Sequence, residues 1–357
     1  MPSTGPDRVR RRSSLAPIAV TPPPPAISAN PHRTQAVLSR GLTETKKDFL
    51  SILDVEPQAL ERWLELAARL KQERRLRRRA PTADRLAGCH VALLFDKPSL
   101  RTRSTFEIAV HELGGEIVSL PPEVALGGRE PIADVARNLE RWVEAAVIRT
   151  SSHQHLVDFA SAAPRLHVIN ALTDQHHPCQ ALADLLTLRD YWGRWRGRTL
   201  AFVGDGNNVA ASLAHAGPML GMNVHVASPR GYELPASVVE EARRRTRYGA
   251  DVRLFRNAAD AVRAADAVYT DVWTSMGRES ESALRQARFA DYQVTSELMA
   301  LAAPNALFMH CLPAHRGEEV TSDVLDSPRS VVFDQAENRL HTEKALLLNL
   351  LTGLGDR

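Results

Sequence analysis

Two arginines, a serine and a threonine fall within five residues at Ser99-Leu100-Arg101-Thr102-Arg103. Guanidinium groups present forked donors that match phosphate oxygens, and hydroxyls add further donors, so the cluster has the chemistry of an anion receptor. Arg149, His177 and Gln180 add a cation, an imidazole and an amide farther along the chain, and Asp271 supplies a carboxylate suited to an ammonium group. Cys311 stands in His310-Cys311-Leu312-Pro313. With no convincing Cys–His pair it reads as a buried thiol or a binding group, and a covalent thiolate mechanism is disfavoured.

The elements that carry these residues follow from apolar patterning. Residues 91–95 form an apolar run of strand type, and Pro98-Ser99 opens a helix whose apolar positions Phe106, Ala109, Val110 and Leu113 recur until Gly114-Gly115. The first turn of such a helix holds N–H groups without partners and the positive end of the dipole, which favours a phosphate dianion. A helix is expected over 57–79, with a basic, solvated end. Strands are expected at 116–120, 145–149 and 166–170, and helices at 132–142, 153–160 and 178–191, the last with Pro178 at its first position. Repeated βα units imply a parallel sheet, and ligands then gather at the carboxyl ends of its strands. Ser99, Arg101, Thr102, Arg149, His177 and Gln180 all fall at such ends.

After a connector at 195–198 a second α/β series begins, with a strand at 199–203, a turn at 204–208, a helix at 209–220 and a strand at 223–227. Gly204-Asp205-Gly206-Asn207-Asn208 is not a dinucleotide fingerprint. Val209 stands where a small residue is needed, and the next strand ends in Ala227-Ser228-Pro229 with no acid for a ribose. It is not a P-loop either, and Asn207 and Asn208 suit a small polar ligand. Further strands are expected at 267–273, 306–309 and 331–333, before a C-terminal helix ending near 351.

Composition narrows the classes. At 357 residues, 44% hydrophobic and 24% charged, the chain has room for two globular domains. The net charge is +3, but residues 1–40 hold six Arg and one Asp (+5), so residues 41–357 sum to 3 − 5 = −2. Nucleic-acid binding is therefore not indicated. No apolar run is long enough to span a membrane. Three scattered cysteines without a CxxC fit a reducing cytoplasm. His153-Gln154-His155 and His176-His177 lack the spacing of a metal site, and none is expected. Residues 1–42 hold eight of the 22 prolines and read as a disordered, transit-like or spurious tail.

Four segments together resemble one family: Ser99-Leu100-Arg101-Thr102-Arg103, His177-Pro178-Cys179-Gln180, Asp271-Val272-Trp273-Thr274-Ser275-Met276-Gly277 and His310-Cys311-Leu312-Pro313. In that order they are similar to the aspartate/ornithine carbamoyltransferase family, its ornithine branch most closely, over residues 42–355. The resemblance implies an α/β fold of two domains, each a parallel sheet flanked by helices, with the C-terminal helix packing back on the first. The expected division is a tail at 1–42, a carbamoyl-phosphate-binding domain at 43–187, an ornithine-binding domain at 188–340 and a returning helix at 341–357. It also implies a cytoplasmic homotrimer, or multiples of one, with sites at subunit interfaces, and no metal or organic cofactor.

Carried over by position, the resemblance assigns carbamoyl phosphate to Ser99, Leu100 (through its backbone), Arg101, Thr102, Arg149, His177, Pro178, Cys179, Gln180, Cys311, Leu312 and Arg339. Ornithine falls to Asn208, Asp271, Ser275 and Met276, with Arg101, Arg149, His177, Cys311 and Arg339 closest to the chemistry. Leu100 replaces the usual Thr, and a Gln expected near Ala125 is absent, so weaker or differently shared phosphate binding is expected. The implied reaction moves the carbamoyl group of carbamoyl phosphate to the side-chain amine of ornithine. The alternatives are another amine acceptor, putrescine or acetylornithine, and a non-catalytic binding homologue. Aspartate as acceptor would need clustered cations in the second domain, and none stands between Asp271 and Arg278.

Overall fold

The apolar runs pair as parallel strands in two sheets. In the computed structural model, which describes residues 1–2, 47–76, 80–122, 128–274 and 279–354, the first sheet comprises β1 (His90–Phe95), β2 (Glu116–Leu120), β3 (Ala145–Arg149) and β4 (His167–Leu172) in the order β2-β1-β3-β4. The second comprises β5 (Thr199–Val203), β6 (Asn223–Ala227), β7 (Val252–Phe255), β8 (Ala267–Thr270) and β9 (Leu307–His310) in the order β7-β6-β5-β8-β9. Every pairing is parallel. β1 is buried at every position but its first, as expected of a strand covered by helices on both faces.

Parallel neighbours need crossovers, which helices supply. After α1 (Pro57–Leu76), the first sheet is crossed by α2 (Leu100–Glu112), α3 (Ile132–Leu139) and α4 (His153–Ala162), and α5 (Pro178–Trp192) leads out of it. In the second sheet α6 (Asn208–Met219), α7 (Ala236–Arg244) and α8 (Ala258–Val262) make the crossovers from β5 to β8. The strand order reverses between β1 and β3 in one sheet and between β5 and β8 in the other. Arg149 ends β3 and the loops after the other three strands carry Ser99, Asn207 and Asp271, so both halves aim their chemistry at the point where parallel sheets open a crevice.

The C-terminal helix (Val332–Thr352) packs against α1, α2 and α5 of the first half. Buried polar groups lock it there: Lys71 Nζ donates to Asn338 Oδ1 at 2.8 Å and Asn338 Nδ2 to Thr187 Oγ1 at 2.9 Å. Lys344 Nζ donates to Glu112 at 2.9 Å. The basic end of α1 pairs within the protein, Arg74 with Glu112 and Arg75 with Glu337, as expected of a solvated face. No helix among the described residues is long and apolar enough to cross a membrane.

Some expectations are corrected. The strand expected at 331–333 is the first turn of the C-terminal helix, with only Ser330 bridging to Phe308. The strand expected at 267–273 ends at Thr270, which turns Asp271 out of the sheet. β7 was not anticipated: it is a four-residue edge strand whose short apolar stretch is interrupted by Arg253. The tail at 1–42 (beyond its first two residues), Ala125, Ser275, Met276 and the end of the expected 57–79 helix lie outside the described residues.

Gly206 shows why the turn after β5 does not cradle a dinucleotide. A Cβ placed there would lie 2.3 Å from Leu234 N and 2.5 Å from Glu233 C, so the glycine serves a close approach of two backbone segments. Gly206→Ala is expected to lower stability by about 1–3 kcal/mol through this overpacking, measured as a reduced urea midpoint with an unchanged m-value.

Candidate active site

The first turn of α2 lies at the carboxyl end of β1. Ser99 occupies its N-cap position without a side-chain capping bond; its Oγ instead accepts from Arg149 Nη1 at 3.2 Å. The orphan N–H groups of the turn are therefore left for an incoming anion. α5 begins the same way, with His177 as an N-cap that makes no side-chain cap and Pro178 as its first residue. By contrast, α6 is capped by Asn207, whose Oδ1 accepts from Val209 N and Ala210 N at 3.0 and 3.1 Å.

Arg339 reaches these turns from the C-terminal helix. It is 2% exposed, and it donates from Nη2 to Thr102 Oγ1 and from Nη1 to Gln180 Oε1, each at 2.9 Å. Its Nη2 also donates to Glu343 at 2.8 Å. Burial alone would lower the pKa of Arg339, but the Glu343 carboxylate raises it. Burial, with added repulsion from Arg339, lowers the pKa of Arg101 and Arg149, and guanidinium groups remain charged under such shifts. Burial, then Arg339, Arg149 and Arg101, hold the His177 pKa well below its ordinary 6.5, so the ring is neutral at neutral pH.

The second half brings a carboxylate to the same cleft. Asp271 Oδ2 accepts from Asn207 Nδ2 at 2.8 Å, and its Oδ1 accepts from Cys311 Sγ at 3.0 Å and from Val272 N at 2.9 Å. Burial, and then the Asp271 charge, push the Cys311 thiol well above 9, which leaves it a hydrogen-bond donor and not a resting nucleophile. Leu312 takes a left-handed conformation with φ 58°, costly for a residue with a Cβ, and its carbonyl accepts from Arg101 Nη2 at 2.5 Å.

Together these groups line a cleft of about 1680 Å³ between the two halves. Ser99, Leu100, Arg101, Thr102, Arg149, His177 and Gln180 line it from the first half, Asn208, Asp271, Cys311 and Leu312 from the second, and Arg339 from the C-terminal helix. Pro178 and Cys179 do not line it. Cys179 is fully buried with its Sγ 3.3 Å from Asn170 O, and burial drives its pKa far upward. Asn208 donates to Thr173 O at 2.6 Å, bridging the halves, while its neighbour Asn207 holds Asp271. Only geometry separates the two asparagines of that turn.

Neither His153 nor His176 joins a cluster of ligand atoms among the described residues; their rings meet edge to face at 5.0 Å. Two clusters do form, Asp271 with His310 and Cys311, and His315 with Glu318 and Glu319. In the first, the donors are already engaged. Leu312 N donates to His310 Nδ1 at 2.9 Å, and His310 Nε2 lies 3.1 Å from Glu319 Oε1, an arrangement that puts the ring proton on Nε2.

The carbamoyl-P binding domain model of the aspartate/ornithine carbamoyltransferases matches residues 47–190, and the Asp/Orn binding domain model matches residues 196–350. The chain belongs to the aspartate/ornithine carbamoyltransferase family. It is 50% identical over 314 residues to the ornithine carbamoyltransferase of Acidothermus cellulolyticus, covering 87% of this chain and 98% of that protein. Among solved structures, the Pyrococcus furiosus ornithine carbamoyltransferase superposes with a TM-score of 0.81 at 44% identity, covering 86% of this chain and 97% of that one. The Thermus thermophilus ornithine carbamoyltransferase gives 0.77 at 45% identity, covering 86% and 99%. As a member of this family the chain is a carbamoyltransferase.

The buried histidines set a pH dependence. Burial lowers His176, His215 and His341 to about 4, and His177 well below 6.5. A histidine depressed in the folded state contributes fully above its unfolded pKa, and that contribution is lost as pH falls below it, because the unfolded chain takes up the proton first. Burial raises Asp184 to about 6 and Glu343 to about 7, and these two act in the opposite sense. Burial also lowers His153 and His225 and raises Asp48. Six histidines therefore oppose three carboxyls, and stability is expected to fall by about 1–3 kcal/mol per pH unit between pH 6.5 and 4.5, measured by urea unfolding across that range.

Proposed function

We propose that the protein transfers the carbamoyl group of carbamoyl phosphate to the side-chain amine of L-ornithine, giving L-citrulline and phosphate. The observation that carries this reading is the division of charge across one cleft. Arg101, Arg149 and Arg339 face it from one side, and Asp271, held by Asn207 and Cys311, faces it from the other. A dianionic donor fits the first wall and an ammonium-bearing acceptor the second. The names of the relatives support ornithine as that acceptor.

In this proposal the phosphate rests on the open first turn of α2, held by Ser99, the Leu100 backbone, Arg101 and Thr102. Arg149 and the neutral ring of His177 donate to the carbamoyl oxygen with Thr102, and Gln180 accepts from the carbamoyl amide. Pro178 and Cys179 shape the turn, while Leu312 and Arg339 complete the pocket. Asn208, Asp271, Ser275 and Met276 take the ornithine. Its neutral side-chain nitrogen attacks the carbamoyl carbon, and negative charge grows on the carbonyl oxygen where those donors converge. The bond from carbon to the phosphate oxygen then breaks, and the departing phosphate takes the proton that the amine loses. Asp271 and the Cys311 thiol orient the amine. Carbamoyl phosphate is already activated, so positioning and charge stabilisation supply the catalysis.

The proposal includes a carbamoyl-phosphate-binding domain at 43–187, an ornithine-binding domain at 188–340 and a returning helix at 341–357. It also includes a cytoplasmic trimer, or multiples of one, acting in arginine metabolism. The three free cysteines suit a reducing compartment. Citrulline formation measured with ornithine, aspartate, putrescine and acetylornithine tests the acceptor. Ornithine is expected to be preferred, and preference for another amine overturns that choice. Arg101→Ala is expected to lower kcat/KM about a hundredfold or more with little change in Tm; turnover near that of the unsubstituted protein removes Arg101 from the phosphate site.

A further inference from the structure

Asp184 lies on α5, one helical turn after Gln180, and is fully buried. Its Oδ1 accepts from Gln180 Nε2 at 2.8 Å and from Gln335 Nε2 at 2.8 Å. Gln180 Oε1 in turn accepts from Arg339 Nη1 at 2.9 Å. A guanidinium has no acceptor and a carboxylate oxygen no donor, so a glutamine held between them has only one amide orientation. Nε2 must face Asp184, and Oε1 must face Arg339 and the cleft that both residues line. The carbonyl oxygen keeps a second lone pair for a ligand.

We propose that Asp184 is a positioning residue that makes Gln180 present an acceptor to the cleft, so that the site selects a substrate carrying –NH2 beside its carbonyl. The inference rests on the functional reading above, in which Gln180 faces the carbamoyl amide. Arg339 supplies the donor that holds Oε1, and Asp184 supplies the acceptor that holds Nε2. Without Asp184 the Nε2 group would be buried and unpartnered, an unfavourable state that turning toward water in the cleft relieves. The cleft wall would then offer a donor where it now offers an acceptor. Burial raises Asp184 to about 6, yet Oδ1 accepts from both amides whether or not Oδ2 carries a proton. The same oxygen orients Gln335, whose Oε1 accepts from His310 N at 3.0 Å next to Cys311.

Two unreactive phosphonates of the same shape read this directly. Phosphonoacetamide carries –NH2 where acetonylphosphonate carries –CH3, and calorimetric titration gives the affinity of each. The unsubstituted protein is expected to prefer the amide about tenfold or more. In Asp184→Leu that preference is expected to fall to about threefold or less. Asp184→Asn, which keeps an acceptor oxygen in place, is expected to retain it. General structural damage would weaken both ligands alike and leave their ratio unchanged. If Asp184→Leu does not fold, Asp184→Ala is titrated with the same pair. A full preference in the folded Leu or Ala variant overturns the role of Asp184 while leaving the functional reading in place. Equal affinity of the unsubstituted protein for both probes overturns the acceptor face of Gln180, and binding of neither overturns the functional reading itself.

Discussion

The Arg339 guanidinium, buried where the C-terminal helix meets α2 and α5, is the contact on which the rest of the cleft depends. It ties Thr102, Gln180 and Glu343 into one polar cluster. Burying a cation costs several kcal/mol, which only a close counter-charge and well-made hydrogen bonds offset. Glu343 is that counter-charge, its Oε1 accepting from Arg339 Nε at 3.1 Å and Nη2 at 2.8 Å. Thr102 and Arg339 stand 237 positions apart. The first turn of α2 is therefore finished only when the last helix of the chain docks on the first sheet. The helix also meets Lys71, Thr187, Asp184 and Glu112 on first-half elements, while Gln335 reaches His310 N of the second half.

Around this hub the molecule separates its charges by function. Burial, and then Arg339, lower the pKa of Arg101 and Arg149, with Arg101 adding to the effect on Arg149, while Glu343 holds Arg339 above its ordinary value. Three cations sharing one wall repel, and a dianion bound among them relieves that repulsion while filling the orphan N–H groups of α2. The neutral state of His177 belongs to the same field. An imidazole there can donate one hydrogen bond to a carbonyl oxygen without adding a fourth positive charge. Across the cleft the carboxylate of Asp271 accepts from Asn207 Nδ2, Cys311 Sγ and Val272 N, so it can be buried and still hold its place.

Most of the framework could be read from the sequence because parallel strands buried on both faces leave continuous apolar runs. Residues 91–95, 145–149 and 199–203 announce themselves in this way, and polar groups at or just beyond their ends, Arg149 and Ser99 among these, fall at the cleft. β7 is four residues long, sits at the sheet edge and is interrupted by Arg253, so it presents no continuous apolar run. The stretch at 331–333 is β-branched and aromatic and reads as a strand, but its burial comes from helix packing, which overrides propensity. The choice between Asn207 and Asn208 turns on which one caps α6, a matter of backbone direction that residue type does not fix. Asp184 and Gln335 were missed for a related reason. They face each other only because two helices 151 positions apart in sequence pack together, and no local pattern records that contact.

The two halves also touch directly at the cleft, through a small set of hydrogen bonds. His177 N donates to Ser212 Oγ at 2.9 Å, Asn208 Nδ2 to Thr173 O at 2.6 Å, and Arg101 Nη2 to Leu312 O at 2.5 Å. The two neutral donors are each worth about 1 kcal/mol net and the charged Arg101 donor about 1.5–3 kcal/mol. The Arg101 contact differs from the others, since a guanidinium has five donors and the Leu312 carbonyl engages it from the second half. A phosphate on the α2 turn can take other N–H groups of Arg101 while that carbonyl keeps its bond. Leu312 follows Cys311 directly, and the Cys311 thiol holds Asp271. Arg101 is thus joined to Asp271 through two adjacent residues, which links the two walls of the cleft through covalent chain and hydrogen bonds already present.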